Sequence, residues 1–357
     1  MASRVFLLLA LTTALCFQVA LADTEETIYA CTDEGCTIAG DNYPSFDAAE
    51  ANDISRNVGG GFIDVVSTPV IQWTIIYYDC LNATTIGFDD SVVGPQAQAV
   101  VAAVLSYIGN ALEFPSGSTQ RQFEVIFRDS QNIMGGQTLA TAGTFFSNLA
   151  NSFNDPFSLR HYVLGTDPLP TNPDIFATVN FGQNYFFDPT LTGTPAGNQF
   201  DFYSLMLHEF THSLGFISLT REDGTSQFNV VNARSTFDRL FFATTPMMDV
   251  YAANGGLNLP ASFTTGAQGQ IVATNTELAM CTDTAVIFTP GTFQDGASLS
   301  HLDPTGLAGV VMNPTLAGGS TRREYLAVEG SILQSLGWIF NSNIQTCVSA
   351  TPPPTTL

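Results

Sequence analysis

Two histidines and one glutamate are the side chains whose spacing points most directly to chemistry. His208, Glu209 and His212 stand in the order H-E-x-x-H. An α-helix turns by roughly 100° per residue, so histidines four positions apart lie on one face and can bind the same metal ion. The glutamate between them is then placed to act as a general base on water at that ion. We expect Asp201 to cap the start of this helix and Gly215 to end it.

A catalytic zinc ion takes three protein ligands and keeps one position open, so a third ligand must come from elsewhere. In the compact metzincin pattern H-E-x-x-H-x-x-G-x-x-H, the glycine lets the chain turn and the last histidine reaches the metal. Gly215 stands at the glycine position, but Ser218 stands where that histidine is expected. The two other histidines are His161, in a segment that we interpret as a strand or its edge, and His301. His301 is the predicted third ligand.

A methionine follows His301 in the segment Val-Val-Met-Asn-Pro. A methionine in a tight turn after the last ligand is the Met-turn of metzincins. In these features the chain resembles the leishmanolysin-like metzincins, in which a long insertion separates the H-E-x-x-H-x-x-G helix from the third histidine. The residues that carry the resemblance are His208, Glu209, His212, Gly215, Phe216, His301 and Met312, with Tyr325 to Trp338 as a closing helix.

The resemblance implies an α+β fold with two lobes. A twisted mixed sheet and the active-site helix would form the N-terminal lobe, and the C-terminal lobe would be irregular and helical. The implied activity is that of a zinc metalloendopeptidase acting on extracellular proteins. His208, His212 and His301 would hold one zinc ion, and Glu209 would activate the water bound to it.

Two other functional interpretations remain open from the sequence. A catalytically inactive, secreted zinc-binding surface or adhesion module would keep the histidines but would not need Glu209. A gluzincin would take its third ligand from a downstream acid, and the nearest one, Glu222, lies too close to His212 to stand on a second helix.

The first residues predict export. Arg4 precedes an apolar run from Val5 to Leu15, and Ala20-Leu21-Ala22 forms a cleavage site, so residues 1–22 are predicted to be a secretory signal peptide. The apolar run is too short to span a bilayer. We therefore expect a secreted, extracellular protein without stable membrane insertion.

The chain is strongly acidic. Its formal net charge is −22, and all ten basic residues are arginine. Such a surface repels nucleic acid and anionic membranes, which excludes nucleic-acid binding as an expected function. An acidic field attracts cationic peptides or Ca²⁺, so the expected partner is a peptide or protein substrate, with calcium as a second candidate ion beside zinc.

Five cysteines remain after the signal peptide, namely Cys31, Cys36, Cys80, Cys281 and Cys347. In an oxidising compartment an odd number predicts two disulfides with one free thiol, or an intermolecular bridge. Cys31 and Cys36 could close a small loop. A second hypothesis takes residues 23–68 as an N-terminal extension or pro-segment in which Cys31 or Cys36 blocks the metal.

The catalytic domain is predicted at residues 69–346, with lobes of about 69–215 and 216–346 and a Pro/Thr-rich tail at 347–357. Its first lobe should contain a strand at Ile71–Tyr78, a helix at 95–112, and strands at Phe123–Phe127 and Ile175–Phe181. The segment 139–153 is predicted to be a helix or a surface segment. We also expect residues 175–184 to be an edge strand that holds an extended peptide substrate.

Overall fold

The computed structural model describes most of the chain between Ile28 and Ile344, including the whole region around the H-E-x-x-H motif. The described residues are 28–32, 35–38, 62–78, 87–115, 119–129, 138–147, 149–228, 232–244, 247–249, 251, 259, 261–265, 271–273, 285–307 and 309–344. The predicted signal peptide, the Pro/Thr-rich tail, and Cys80, Cys281 and Cys347 lie outside them.

Strands and helices both contribute to the fold, which confirms the predicted α+β class. The strands are β1 (Ile28–Thr32), β2 (Gly35–Ile38), β3 (Phe62–Ser67), β4 (Ile71–Tyr78), β5 (Arg121–Asp129), β6 (Ala140–Ser147), β7 (Ser152–Asn154), β8 (Ile175–Val179), β9 (Tyr185–Phe186), β10 (Phe200–Asp201), β11 (Ala233–Ser235), β12 (Phe241–Thr244), β13 (Met247–Asp249) and β14 (Ile271–Ala273). The α-helices are α1 (Val93–Ala111), α2 (Phe157–Leu164), α3 (Phe202–Ser213), α4 (Ala261–Thr264) and α5 (Ala327–Leu336), and residues Asp238–Leu240 form a 3-10 turn.

A mixed sheet of seven strands, in the order β2-β1-β6-β8-β5-β4-β3, lies at the centre of the described structure. Strands β4, β5 and β8 run parallel, whereas β6 is antiparallel to β8 and β1 is antiparallel to β6. Alternate side chains of β4, among them Trp73 and Ile75, are buried in the main core. The apolar positions of α1 that the sequence spaces at helical intervals are buried in the same core. The predictions of β4, α1, β5 and β8 are therefore confirmed.

The prediction for residues 139–153 is wrong, because most of this segment is the interior strand β6. Every residue of β6 is buried. A Cβ on Gly143 would lie 1.8 Å from the carbonyl oxygen of Cys31 on the neighbouring strand, so only glycine permits this approach of β1. Gly143 is thus a requirement of strand packing.

The edge-strand prediction for residues 175–184 is also wrong. Strand β8 hydrogen-bonds to β5 on one side and to β6 on the other, so neither of its edges is open to a peptide. Thr138, Leu139 and Ala140, at the start of β6, line the cleft in front of α3 instead. The parallel pairing of β8 with β5 places it inside the sheet, which its own sequence does not reveal.

Strands from the predicted N-terminal extension join the same sheet. The β1–β2 hairpin and β3 fall within residues 23–68, and they pair with β6 and β4 respectively. The sheet therefore extends beyond the predicted domain boundary at residue 69. Whether the N-terminal segment is removed stays a prediction.

Between α3 and α5, the described residues form only short strands, a 3-10 turn, one short helix and loops. A small antiparallel sheet of β12, β13 and β14 lies within the predicted insertion, and α5 falls inside the predicted closing helix. Among the described residues, no helix combines the length and the apolar character needed to cross a membrane.

Candidate metal centre

The helix α3 carries the H-E-x-x-H motif as predicted, with Asp201 as its N-cap. The Asp201 carboxylate accepts a hydrogen bond from the Ser204 backbone N–H at 3.1 Å and from the Ser204 hydroxyl at 2.6 Å. Its two oxygens also accept hydrogen bonds from Arg323 at 2.5 and 2.9 Å. Almost every residue of α3 is buried, and His208 is the one that is partly exposed. The helix is therefore packed inside the protein, and its first histidine is partly exposed to solvent.

Three imidazoles meet at this opening. The Nε2 atom of His208 lies 3.2 Å from Nε2 of His212 and 3.0 Å from Nε2 of His301. Nitrogen ligands about 2.0–2.1 Å from a tetrahedral zinc ion are separated by about 3.3 Å, so the observed spacing suits a shared ion. His301 thus lies with the helical pair, as the sequence predicted, and the three histidines form a group that could hold a metal ion.

The protonation of these histidines follows from their other ring nitrogens. The Nδ1 atoms of His208, His212 and His301 lie 2.7, 2.8 and 2.9 Å from the backbone carbonyl oxygens of Val311, Phe216 and Ala297 respectively. A carbonyl oxygen only accepts, so each Nδ1 carries the proton and donates it. Each neutral ring then directs an unprotonated Nε2 lone pair at the others, an arrangement that a cation stabilises.

Burial keeps the three rings neutral. Desolvation lowers the pKa of His208 to about 4 and that of His301 to about 3. It also lowers the pKa of His212 well below its ordinary value, and the neighbouring His208 and His301 act in the same direction. Neutral imidazole is the form that binds a metal ion. The site is therefore prepared for a metal throughout the neutral pH range.

Gly215 orients His212. Its φ angle is +97°, and a Cβ at this position would lie 2.7 Å from Cγ of Pro156. The turn at Gly215 folds the chain back, so that the Phe216 carbonyl oxygen reaches Nδ1 of His212. The glycine of the sequence motif thus ends the helix and also allows the Phe216 carbonyl group to accept the hydrogen bond that orients the ring of the second predicted ligand.

His301 is delivered by a loop that is hydrogen-bonded on both sides. Its carbonyl oxygen accepts from the Phe288 N–H at 2.8 Å, and the next N–H, that of Leu302, donates to the Met312 carbonyl oxygen at 2.8 Å. Ser300 accepts a hydrogen bond from the N–H of Ser218 at 3.1 Å. Ser218 stands where the compact motif has its third histidine, so the distant loop brings His301 alongside the position from which that ligand is missing.

The segment of the predicted Met-turn contacts the site through a backbone hydrogen bond. Met312 is fully buried, and the preceding residue, Val311, supplies the carbonyl oxygen that accepts from His208. The buried carboxylate of Glu329 on α5 accepts hydrogen bonds from the N–H of Met312 at 2.7 Å and from that of Leu326 at 3.0 Å. Burial raises the pKa of Glu329 to about 7. Glu329 therefore ties the closing helix to the turn that orients the first ligand.

A cleft of about 550 Å³ opens in front of the histidines. Glu209, His208 and His301 line it together, so the predicted general base faces the same space as two of the three predicted ligands. Glu209 is 4% exposed and therefore shielded from bulk water. Other lining residues come from the start of β6, the first turn of α3 and the segment after Met312. The cleft is therefore open to His208, His301 and Glu209 at once.

Other candidates from the sequence lie elsewhere. Glu222 is exposed and does not belong to the histidine group, which argues against the gluzincin interpretation. The strand prediction for His161 is wrong, because this residue lies in α2, where its Nδ1 is 2.7 Å from the Asp174 carboxylate. Tyr325 is buried and hydrogen-bonds the Thr211 hydroxyl at 2.8 Å, so it belongs to the core beside the closing helix.

His161, Asp174 and Asp167 form a second group with metal-ligand geometry. The His161 ring also stacks on Phe123 at a centroid distance of 4.7 Å, so packing and the pair with Asp174 account for its burial. Calcium favours ligand shells made of oxygen atoms. The expectation of calcium stays a prediction.

The cysteine-switch hypothesis fails for Cys31, which is disulfide-bonded and therefore offers no thiolate to a metal. Cys31 lies directly opposite Cys36 in the β1–β2 hairpin, in the register that the predicted small loop requires. Its side chain is buried against Phe146, Ile217 and neighbouring apolar residues.

Sequence reasoning missed Glu329 and Arg322. Glu329 is the third residue of the observed helix α5, a position where glutamate is an ordinary capping residue. Only the fold brings its carboxylate to the N–H of Met312 in the Met-turn. Arg322 lines the cleft, and its positive charge lowers the pKa of His208 further. No sequence signal distinguishes it from its neighbour Arg323.

No protein-family model matches this chain, and it matches no curated protein and no solved structure.

Proposed function

We propose that this protein is a zinc-dependent endopeptidase of the metzincin type, leishmanolysin-like and two-lobed, which is secreted and hydrolyses peptide bonds of extracellular proteins. The observation that carries the proposal is the convergence of three unprotonated Nε2 atoms, with two of the three histidines lining one cleft together with Glu209. Histidine-only coordination with a position facing a cleft is typical of catalytic rather than structural zinc sites.

The histidine donors fit zinc. Neutral imidazole is a preferred ligand of zinc, and the Nε2 spacing suits tetrahedral coordination by His208, His212 and His301. When bound, zinc supplies Lewis acidity, which lowers the pKa of water at the open position to about 7 and polarises a carbonyl group.

Glu209 supplies the proton transfer. Its carboxylate takes a proton from the attacking water and returns it to the nitrogen of the leaving amine. The enclosure of this side chain keeps competing water away from the proton while it is held. The carbonyl groups of Val311, Phe216 and Ala297 keep the three rings oriented during the reaction.

A comparison of metal binding and cleavage tests the proposal. The mature protein should bind one zinc ion and cleave an unstructured polypeptide, and a chelator should abolish this cleavage. Replacing Glu209 with Gln should lower kcat at least about 100-fold while zinc binding persists, because the substitution removes the base but no ligand.

Two histidine variants provide a matched control. His301→Ala should lose tight zinc binding, whereas His161→Ala, which also removes a buried imidazole, should keep it. Cleavage that survives both the chelator and Glu209→Gln would contradict the proposal. Zinc binding without any cleavage would instead favour a non-catalytic zinc-binding module.

A further inference from the structure

Arg322 brings a positive charge into the cleft of a very acidic protein. It lines the same space as His208, Glu209 and His301, and no other arginine is among the described lining residues. The chain carries a formal net charge of −22. The charge of Arg322 near the proposed reaction centre is therefore opposite in sign to the net charge of the molecule.

The adjacent arginine has a different environment. Arg323 forms ion pairs with Asp201 at 2.5 Å and with Asp188 at 3.3 Å, and these carboxylates balance its positive charge. Within the described ranges, no carboxylate forms an ion pair with Arg322. Burial lowers the pKa of Arg322, and the negative charge of Glu329 acts in the opposite direction. An arginine side chain keeps its positive charge in proteins.

Both ends of Arg322 are held in place. Its backbone N–H donates to the Ser204 hydroxyl at 2.7 Å, and that hydroxyl donates to the Asp201 carboxylate at 2.6 Å. At the other end, Nη1 donates to the Thr315 carbonyl oxygen at 2.7 Å. Nε and Nη2 donate to no described residue, so the guanidinium is fixed while part of its donor edge remains available to a ligand.

We propose that Arg322 forms a carboxylate-binding subsite of this cleft, so that the preferred peptides carry a carboxylate near the bond that is cleaved. This inference rests on the proposed peptidase function. A guanidinium presents parallel N–H donors that match the two oxygens of a carboxylate, and the pair is stronger where water is partly excluded. The carboxylate is either an Asp or Glu side chain or the free C-terminus of the peptide.

Equilibrium binding separates this subsite from hydrolysis. The Glu209→Gln protein, loaded with zinc, would be titrated with labelled peptides that differ only in Glu or Gln at each position around the cleavage site, all with amidated C-termini. A second pair of Gln peptides would carry a free or an amidated C-terminus. We expect one carboxylate peptide to bind about tenfold or more tightly than its neutral partner, the usual effect of a charge-assisted hydrogen bond.

Substitution of the arginine provides the decisive comparison. Adding Arg322→Gln to the Glu209→Gln protein should remove the preference for the carboxylate and leave the affinity for the neutral peptide almost unchanged. The control Arg221→Gln removes the same charge from an exposed arginine and should keep the preference. Thermal unfolding of each variant would verify that it is folded.

The outcomes distinguish the subsite from the peptidase. Equal binding of every carboxylate and neutral pair, or no binding of any peptide, would overturn the subsite. Cleavage of the neutral peptides by the wild-type protein together with equal binding would leave the peptidase standing without it. A preference that Arg322 controls would support the subsite even if the wild-type protein cleaved none of these peptides.

Discussion

Each of the three clustered histidines donates through Nδ1 to a backbone carbonyl, whereas the fourth, His161, lies against a carboxylate. The difference lies in the partner of a single ring nitrogen, Nδ1. It determines which nitrogen is free, and therefore which histidines converge on a cation. A carbonyl fixes the proton on Nδ1 without adding charge, so the proposed zinc site would carry the charge of the metal itself.

At the same scale, we expect Glu329 to affect zinc affinity although it is not a predicted ligand. Replacing it with Gln keeps one acceptor for the Met312 N–H but puts an NH₂ group where the second oxygen accepts from Leu326. We expect zinc affinity, measured by competition with a chelator, to fall about tenfold. The control Glu324→Gln changes an exposed residue of the same segment and should leave affinity unchanged. An unaltered affinity in Glu329→Gln would contradict this positioning role.

The pKa of Glu329 gives the same substitution a pH dependence. Because the folded-state pKa is raised from 4.5 to about 7, the stabilising contribution of the carboxyl group is present below about pH 4.5 and is lost as pH rises through about 7. The free energy of unfolding of the metal-free wild type, relative to Glu329→Gln, should therefore decrease between pH 4.5 and 7. Denaturant unfolding at several pH values measures it, and histidine titration cancels because both proteins contain the same histidines.

At the scale of the elements, the junction between α3 and the following loop is sterically constrained. Gly215→Ala introduces a Cβ 2.7 Å from Pro156 and places alanine at a φ of +97°. We expect a loss of stability of about 2 kcal/mol or more, the combined cost of a left-handed conformation and a clash. Zinc affinity should fall too, because the Phe216 carbonyl would move away from His212.

Gly337→Ala is the matched control at the end of α5. Gly337 also has a positive φ, +121°, but its added Cβ would meet its nearest neighbour, Leu159, at an ordinary 3.5 Å. This variant should lose stability without losing zinc affinity. If both variants behaved alike in chelator competition and in urea unfolding, the turn at Gly215 would have no special connection to the metal site.

At the scale of the whole molecule, the negative net charge and the positive charge of Arg322 in the cleft should act on charged peptides in opposite directions. Peptides with several positive charges far from the cleaved bond should be cleaved with a higher kcat/KM at low ionic strength, because the net charge of −22 attracts them. Raising salt from about 10 to 150 mM shortens the screening length from about 30 to 8 Å and should lower this kcat/KM severalfold. A neutral peptide should show little change. A cationic peptide that is insensitive to salt would contradict long-range steering.

The sequence by itself determined the local features of this protein. The H-E-x-x-H helix, its Asp201 cap and the glycine that ends it follow from spacing and backbone preferences that act within a few residues. Strand β4 and helix α1 were predictable for the same reason, since their apolar periodicity matches the period of the element. His301 and Met312 could be predicted because the expected zinc site calls for a histidine as its third ligand and a methionine in the turn after that ligand.

Only the tertiary structure decided what lies between distant segments. The interior positions of β6 and β8, the hydrogen bond between the Glu329 carboxylate and the Met-turn, and the position of Arg322 in the cleft depend on which segments become neighbours. The sequence pattern of a strand does not say whether its edges are occupied, and two adjacent arginines look alike until one meets carboxylates and the other a cleft. Local preferences act along the chain, whereas hydrogen bonding and burial between segments are settled only when the whole core forms.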